Sequence, residues 1–383
     1  MVRSSTALRA VAASIAAGHG PVAVDAERAS GFRYSARAYL VQLRRAGAGS
    51  SLIDPIPLAS RFGPLAEALD GPEWVLHAAS QDLACLAELG LRPARLFDTE
   101  LAGRLAGLPR VGLGPMVEQL LGLRLEKGHG AADWSTRPLP EDWLVYAALD
   151  VEVLIELRDL LDELLTKQGK REWADQEFEA VRTAPPPPPR TDPWRRTSGI
   201  HRVRRPRQLA AVRELWLARD ELAEQRDIAP GRVLPDAAII EASVTGPTSS
   251  DELAKLPVFR GRAQRRLAGY WWTALERAAA LPNTALPPAT LASDGPPPVS
   301  RWADRDPDAA ARLAAARAGM TELSDRYGLP VENLLQPDLL RRICWQPPDT
   351  SVAEALRAGG ARQWQIDLAA ELLERAVNSP VSG

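Results

Sequence analysis

The chain has 383 residues, 45% hydrophobic and 25% charged, with a formal net charge of −2 at pH 7. That length exceeds one ordinary core and predicts two or three domains. No run of ~18 apolar residues is present to span a bilayer, and a near-neutral total excludes nucleic-acid binding by bulk charge alone. Cys85 and Cys344 lie far apart without metal-type spacing. They predict reduced thiols packed as small core residues in a cytoplasmic protein.

Residues 5–17 predict a helix. Its Leu8–Ala17 part is Ala-rich and interrupted by Arg9, so a helix packed on the first domain is expected rather than a cleaved signal core. Gly18-His19-Gly20 stops it, and Pro21-Val22-Ala23-Val24-Asp25-Ala26-Glu27 predicts a strand. Alternation puts Val22, Val24 and Ala26 on one face and Ala23, Asp25 and Glu27 on the other, with the two acids ~7 Å apart at the backbone. Two repelling carboxylates need a counter-charge. A divalent cation supplies one; salt bridges along a solvent-facing edge supply another.

Tyr39–Arg44 and Ser51–Asp54 predict two more strands, in an antiparallel meander with the first. Helices and strands then alternate: a helix from about Ser60 to Leu69, a strand Glu73–His77, a helix from about Ser80 to Leu89, and a strand Arg95–Asp98. A meander followed by alternation predicts a mixed sheet with helices on its faces. A helix Pro115–Leu121 and a long one from about Glu141 to Lys167 close the domain. Asp82 falls in the first turn of its helix, with Ser80 as N-cap, where an acid also suits the helix dipole. Tyr146 and Asp150 stand four apart on the long helix, so the phenol and carboxylate share a face with Cβ atoms ~6 Å apart. A mid-helix Asp is a poor helix former and needs a reason to be there, either function or simple exposure.

The run Ala184–Pro189 predicts a polyproline-type spacer. Around it, Arg182, Arg190, Arg195, Arg196, Arg202, Arg204, Arg205 and Arg207 face one acid, Asp192. This is a footprint suited to phosphates, or else a solvated basic linker. An all-helical pattern follows, with Leu209, Val212, Leu215, Trp216 and Leu222 on one face. Pro287-Pro288 and Gly295–Pro298 mark a second linker before a third helical region, Pro307–Val377. Ile228–Asp236 aligns with Leu329–Asp338 after one insertion at Gln336, and each copy precedes a Thr-Ser pair (Thr248-Ser249 and Thr350-Ser351). Each ends in a Trp-bearing helix, Trp271-Trp272 in one and Trp364 in the other, which predicts a duplicated domain. Trp271 and Trp272 stand near Arg260, Arg262, Arg265 and Arg266 and offer base stacking beside a basic surface, with at least one of the pair in the core. The expected divisions are 1–180, a linker 181–203, 204–282, a linker 283–302, and 303–383.

Asp-x-Glu on a strand, an Asp at a helix start and Tyr-x-x-x-Asp on a late helix together resemble the DEDD-type 3′–5′ exonucleases with tyrosine in the third motif, and within them the ribonuclease D family. Leu76-His77-Ala78, Phe97-Asp98-Thr99, Gly112-Leu113-Gly114 and Asp133-Trp134-Ser135 upstream of Pro138-Leu139 add to the likeness. The helical repeats resemble the helicase-and-ribonuclease-D C-terminal (HRDC) domain. Ala26, where Thr is common, and Ala132, where Ser is usual, depart from the pattern without removing a ligand, and Lys127-Gly-His-Gly130 forms a glycine-rich loop. The resemblance implies an α/β, ribonuclease H-like exonuclease domain followed by two small all-α HRDC bundles.

It also implies an exoribonuclease that releases nucleoside 5′-monophosphates from the 3′ ends of tRNA precursors and other structured RNA, as a monomer. The ligand chemistry agrees independently. All candidate ligands are carboxylates and His19, His77, His129 and His201 lack ligand spacing, so Mg²⁺ or Mn²⁺ is expected over zinc. Four acids suffice for two ions ~3.5–4 Å apart. By family pattern Asp25 bridges both, Glu27 and Asp150 hold one, Asp82 holds the other partly through water, and Tyr146 orients or deprotonates the attacking water. Arg202, Arg204, Arg205, Arg207, Arg265 and Arg266 are the expected nucleic-acid contacts. His77 is expected to pack at its strand end and Trp134 to pack its loop. An inactive RNA-holding protein and a DNA-directed exonuclease are the rival readings.

Overall fold

The computed structural model describes residues 1–58, 60–125, 128–290 and 295–378. Helix α1 (Ser5–Ala17) leads through Gly18 into β1 (His19–Arg28), followed by β2 (Ala38–Ala46) and β3 (Gly49–Ile53). The β2–β3 turn is tight because Gly47 and Gly49 both hold positive φ, 82° and 72°. Then come α2 (Gly63–Leu69), β4 (Glu73–Leu76), α3 (Leu83–Glu88), β5 (Arg95–Asp98), α4 (Thr99–Leu105) and α5 (Leu113–Leu121). The sheet order is β3-β2-β1-β4-β5. The meander pairs antiparallel, whereas β1–β4 and β4–β5 pair parallel, as helical crossovers require. The expected mixed sheet is present, and its central strand is the acidic one.

Both faces of β1 are covered. On the Val22/Val24 face lies α1, tied down where Arg45 donates to the Ile15 carbonyl at 2.6 Å. On the Asp25/Glu27 face, α6 (Glu141–Glu152) crosses β1, β2 and β3, and α7 (Leu154–Lys167) packs on β1 and β4. Arg44, which points to this face, ties β2 to both helices through Glu152 at 3.0 Å and Glu156 at 2.8 Å. The single long helix expected over 141–167 is therefore two. The break at Val153 (φ −103°, ψ −10°) lets each half follow its own part of the sheet.

An unexpected helix, α8 (Arg171–Thr183), follows the left-handed Gly169. Beyond the prolines stand α9 (Pro206–Arg226), α10 (Pro230–Val233), α11 (Asp236–Thr245), α12 (Ser250–Lys255), α13 (Arg262–Arg266) and α14 (Ala268–Ala280). The last region holds α15 (Trp302–Arg305), α16 (Pro307–Tyr327), α17 (Val331–Leu334), α18 (Pro337–Trp345), α19 (Val352–Ala358) and α20 (Gln363–Asn378). Residues 291–294 of the second proline linker and 379–383 lie outside the described residues. Both regions share a 21-residue opening helix, a four-residue helix and a serine-capped short helix.

Their cores differ in attachment. Residues around α9 and α14 bury a core of their own, containing Trp194, Leu215 and Trp271. The last region instead continues the core of the sheet domain, in one apolar cluster running from Leu8 to Ala376. The seam is α8: Trp173 stacks on Trp364 at 4.9 Å, and the Trp364 indole donates to Glu177 at 3.0 Å. Lys170 bridges the Leu105 and Tyr327 carbonyls at 2.9 and 2.7 Å. Gly107 comes so close to the Gly328 carbonyl that a Cβ would stand 2.6 Å from it.

The middle bundle docks elsewhere, on the 29–39 segment after β1. Ala229 donates its backbone N–H to the Phe32 carbonyl at 3.0 Å, Asp227 accepts from Ser35 at 2.9 Å, and the Arg232 guanidinium lies 4.1 Å over the Phe32 ring. Trp364→Ala should lower the stability of the sheet domain, not only of the last bundle, by about 3–5 kcal/mol. Urea unfolding followed by a probe in the sheet domain measures this.

Candidate active site

Each acidic side chain reaches the site for a local reason. Pairing of β1 with β2 and β4 on either side fixes Asp25 and Glu27 on one face of the central strand, beneath α6. Asp150 sits in the last turn of α6 and Tyr146 one turn earlier, both turned down toward β1. The Asp25, Glu27 and Asp150 carboxylates offer oxygens all within 4.8 Å of one another.

Asp82 arrives differently from the sequence expectation. Ser80 caps no helix; a short 3₁₀ turn, Ala79–Gln81, intervenes, and Asp82 itself is the N-cap of α3 with no capping bond from its side chain. The cause lies at Ala78, whose φ of 57° turns the chain sharply after β4. Buried Asp98 stabilises that turn. Its carboxylate accepts from the backbone N–H groups of Ala78 (3.1 Å), Ala79 (2.8 Å), Glu100 (2.9 Å) and Leu101 (3.2 Å). Asp98 thus caps α4 and aims Asp82 into the cleft with one side chain.

The cleft has a volume of about 980 Å³, and Asp25, Glu27, Asp82, Tyr146 and Asp150 all line it. The sequence reasoning missed Arg28, the next residue on β1, which lies 3.5 Å from Asp82. Arg110 and Arg124 line the same cleft, with Gln81 and His77. A basic residue directly after an acidic pair on a strand was the available signal for Arg28.

Burial raises the pKa of all four acids. Desolvation lifts Asp25 to about 6, opposed by the Ala26 N–H and Arg28. Desolvation first, then Asp25, Asp150 and Asp82, push Glu27 to about 9. Asp82 rises to about 8, from burial and then Asp25, and Asp150 to about 7 for the same two reasons. The Tyr146 phenol is raised as well, by burial and then by Asp150, so it stays protonated and donates to that carboxylate. His77 moves the other way, to about 4, because burial disfavours the imidazolium. It is neutral near pH 7 and sits 2.9 Å from the Thr99 hydroxyl.

One wall is the loop before α6. A Cβ on Gly128 would stand 3.1 Å from Tyr146 Cδ2, and one on Gly130 would stand 3.6 Å from the phenol oxygen, so the glycines let this backbone lie against the ring. Lys127 lies outside the described residues. The loop is anchored by fully buried Trp134, which donates to the His129 carbonyl at 3.2 Å and meets Trp143 edge-on at 5.3 Å.

The expected nucleic-acid residues divide. Arg202, Arg204, Arg205, Arg265 and Arg266 are exposed. Arg207 is not free to reach a phosphate: it donates to the Ala278, Ala279 and Leu281 carbonyls and to Asn283, closing the C-terminal end of α14. Carbonyls left over at a helix end attract a guanidinium, and the sequence gives no sign of which arginine does this. Trp271 is also withdrawn from any base, being fully buried with its indole N–H on Gln264 at 2.9 Å. Cys85 and Cys344 are buried and free, as expected.

Comparison with known proteins agrees with this geometry. The family described as 3′-5′ exonuclease matches residues 1–166, which contain Asp25, Glu27, Asp82, Tyr146 and Asp150. The HRDC domain family matches residues 208–275. Residues 295–377 match a different family, described as 3′ to 5′ exonuclease C-terminal domain, so one HRDC match stands where two were expected. Ribonuclease D of Gluconacetobacter diazotrophicus is 34% identical over 288 residues, 72% of this chain and 71% of that one.

Among solved structures, a protein from Bifidobacterium adolescentis superposes with a TM-score of 0.93 at 39% identity, covering 98% of this chain and 96% of that one. Escherichia coli RNase D, described as an exoribonuclease involved in structured RNA processing, superposes with a TM-score of 0.71 at 25% identity over 98% of both chains. With the cleft residues inside the matched exonuclease region and the likeness extending through the HRDC domain, the chain belongs to the ribonuclease D family of 3′–5′ exoribonucleases.

Proposed function

We propose that Asp25, Glu27, Asp82 and Asp150 hold two divalent cations, Mg²⁺ or Mn²⁺, and that with Tyr146 they hydrolyse the terminal RNA phosphodiester to release nucleoside 5′-monophosphates. The observation that carries this reading is the meeting of three carboxylates within 4.8 Å, with Asp82 lining the same cleft. The donor set fits the cations. It consists of carboxylate oxygens only, and Arg28 alone among cations recurs as an opposing charge on Asp25, Glu27 and Asp82. When bound, such cations supply Lewis acidity to the phosphate and lower the proton affinity of water.

The chain's own groups position the reactants. Tyr146 donates its phenolic proton to Asp150, which leaves an oxygen lone pair to accept from, and so orient, the attacking water. Its raised pKa argues for orientation rather than proton abstraction. Arg28, Arg110 and Arg124 line the cleft where phosphates of the 3′ end would pass. Exposed Arg202, Arg204, Arg205, Arg265 and Arg266 of the middle bundle and its leading segment would hold the body of the RNA. The last bundle, whose helix order parallels that of the HRDC domain, is an HRDC-like repeat on this reading. Physiological substrates would be tRNA precursors and other structured RNA with 3′ extensions, processed by a monomer in the cytoplasm.

Asp25→Ala and Asp150→Ala should each abolish Mg²⁺-dependent release of mononucleotides from 5′-labelled RNA while leaving the circular dichroism spectrum unchanged. Unchanged turnover in either would defeat the assignment. Tyr146→Phe should lower the rate by ~10²-fold, the scale of a lost positioning contact, with Mg²⁺ binding kept.

The acid cluster also sets a pH dependence. Its folded pKa values lie above those of an unfolded chain, so its contribution to stability is fully present below the ordinary carboxylate range. It is lost as pH rises through the folded values, up to about 9 for Glu27. In EDTA the melting temperature should therefore fall across that window, and Glu27→Gln should flatten the decline. Added Mg²⁺ should raise the melting temperature more at alkaline than at mildly acidic pH, because it replaces the missing protons.

A further inference from the structure

The geometry points to Gln42 as a positioning residue for Asp25. Gln42 is the residue directly opposite Asp25 in the β1–β2 ladder. Cross-strand partners project to the same face, so the amide shares with Asp25 the face of the sheet that α6 covers. Its neighbours two residues away confirm the direction. Leu40 packs in the cluster that contains Ala147 of α6, and Arg44 pairs with Glu152 and Glu156. Gln42 therefore lies under α6, between those two anchor points and beside the acid cluster.

Its environment is unusual for a core position. The residue is 0% exposed, and neither its amide nitrogen nor its amide oxygen has a hydrogen-bond partner. Leaving both atoms of a buried amide unpaired is destabilising, and a Leu or Met would fill the same space without that cost. Asp25, the carboxylate across the ladder, is itself short of donors. The backbone N–H of Ala26 bonds to it, and Arg28 acts on it only through charge. A carboxylate that binds a cation is held in place by donors to its remaining lone pairs. Rotation about the Gln42 side-chain torsions would bring its N–H to the Asp25 carboxylate. That bond would fix the carboxylate rotamer and favour its ionised form.

This inference rests on the reading of Asp25 as a cation ligand, and the experiment separates the two. Gln42→Met, Gln42→Leu and Asp25→Asn would be made in the whole chain, and Mg²⁺ binding measured by calorimetry without RNA, beside melting in EDTA. Gln42→Met should melt in EDTA at or above the parent temperature, since Met fills the same volume and leaves no buried amide to satisfy. Its Mg²⁺ affinity should drop about 10- to 100-fold. Parental affinity in both Gln42 variants, with affinity lost in Asp25→Asn, would overturn the role of Gln42 while keeping the cation site. Lower melting of both Gln42 variants in EDTA would assign the residue to the scaffold and overturn it equally. Parental affinity in Asp25→Asn would instead defeat the cation-site reading itself.

Discussion

Repulsion among four poorly solvated carboxylates is the constraint on which this structure turns. Side chains at Asp25, Glu27, Asp82 and Asp150 would move apart if their backbones allowed it, because each raises the proton affinity of another. They stay together because each is mounted on an element packed for other reasons. Asp25 and Glu27 lie on the central strand, Asp150 on a helix pinned across three strands, and Asp82 on a turn tied by two hydrogen bonds to Asp98, which also caps α4. Packing energy spread over the apolar core thus maintains a concentrated negative charge that protons or divalent cations must neutralise.

The scaffold divides this work between rigid and adjustable parts. Asp98 is wholly committed to backbone donors and cannot serve as a ligand, although its sequence neighbourhood looks as acidic as that of Asp82. Tyr146 is boxed in by the glycine-rich loop on one side and the acids on the other, which sets its phenol without burying it completely. Arg28 offers the opposite property. Its pairing with Asp82, at 3.5 Å, joins a partly exposed guanidinium to a buried carboxylate, so one side of the cation still faces the cleft.

The legible part of the sequence was the part governed by local periodicity. Two-residue alternation placed Asp25 and Glu27 on one face, and four-residue spacing placed Tyr146 over Asp150. The start of α3 was misplaced because the left-handed Ala78 is held by Asp98, twenty residues away in sequence. The break at Val153 was hidden because both halves keep a good helical pattern, and only the sheet beneath separates them. Helix α8 reads as polar because six of its 13 residues are charged, while Trp173 and Phe178 pack on Trp364 and Phe97. Arg207 looked like any other arginine in a basic run, and only the fold shows which helix end it closes.

The shared core of the sheet domain and the last bundle gives the chain an unexpected topology. One body is built from two separated stretches, residues 1–183 and 302–376, and the HRDC domain is the excursion between them. Both proline tethers of that excursion return to the same rigid frame. A module hung from one tether is free to swing through a wide cone, whereas one moored at both ends, like the handle of a pail, has its travel restricted by the line joining its attachments. The Asp227 and Arg232 contacts on the 29–39 segment are the latch on that arc.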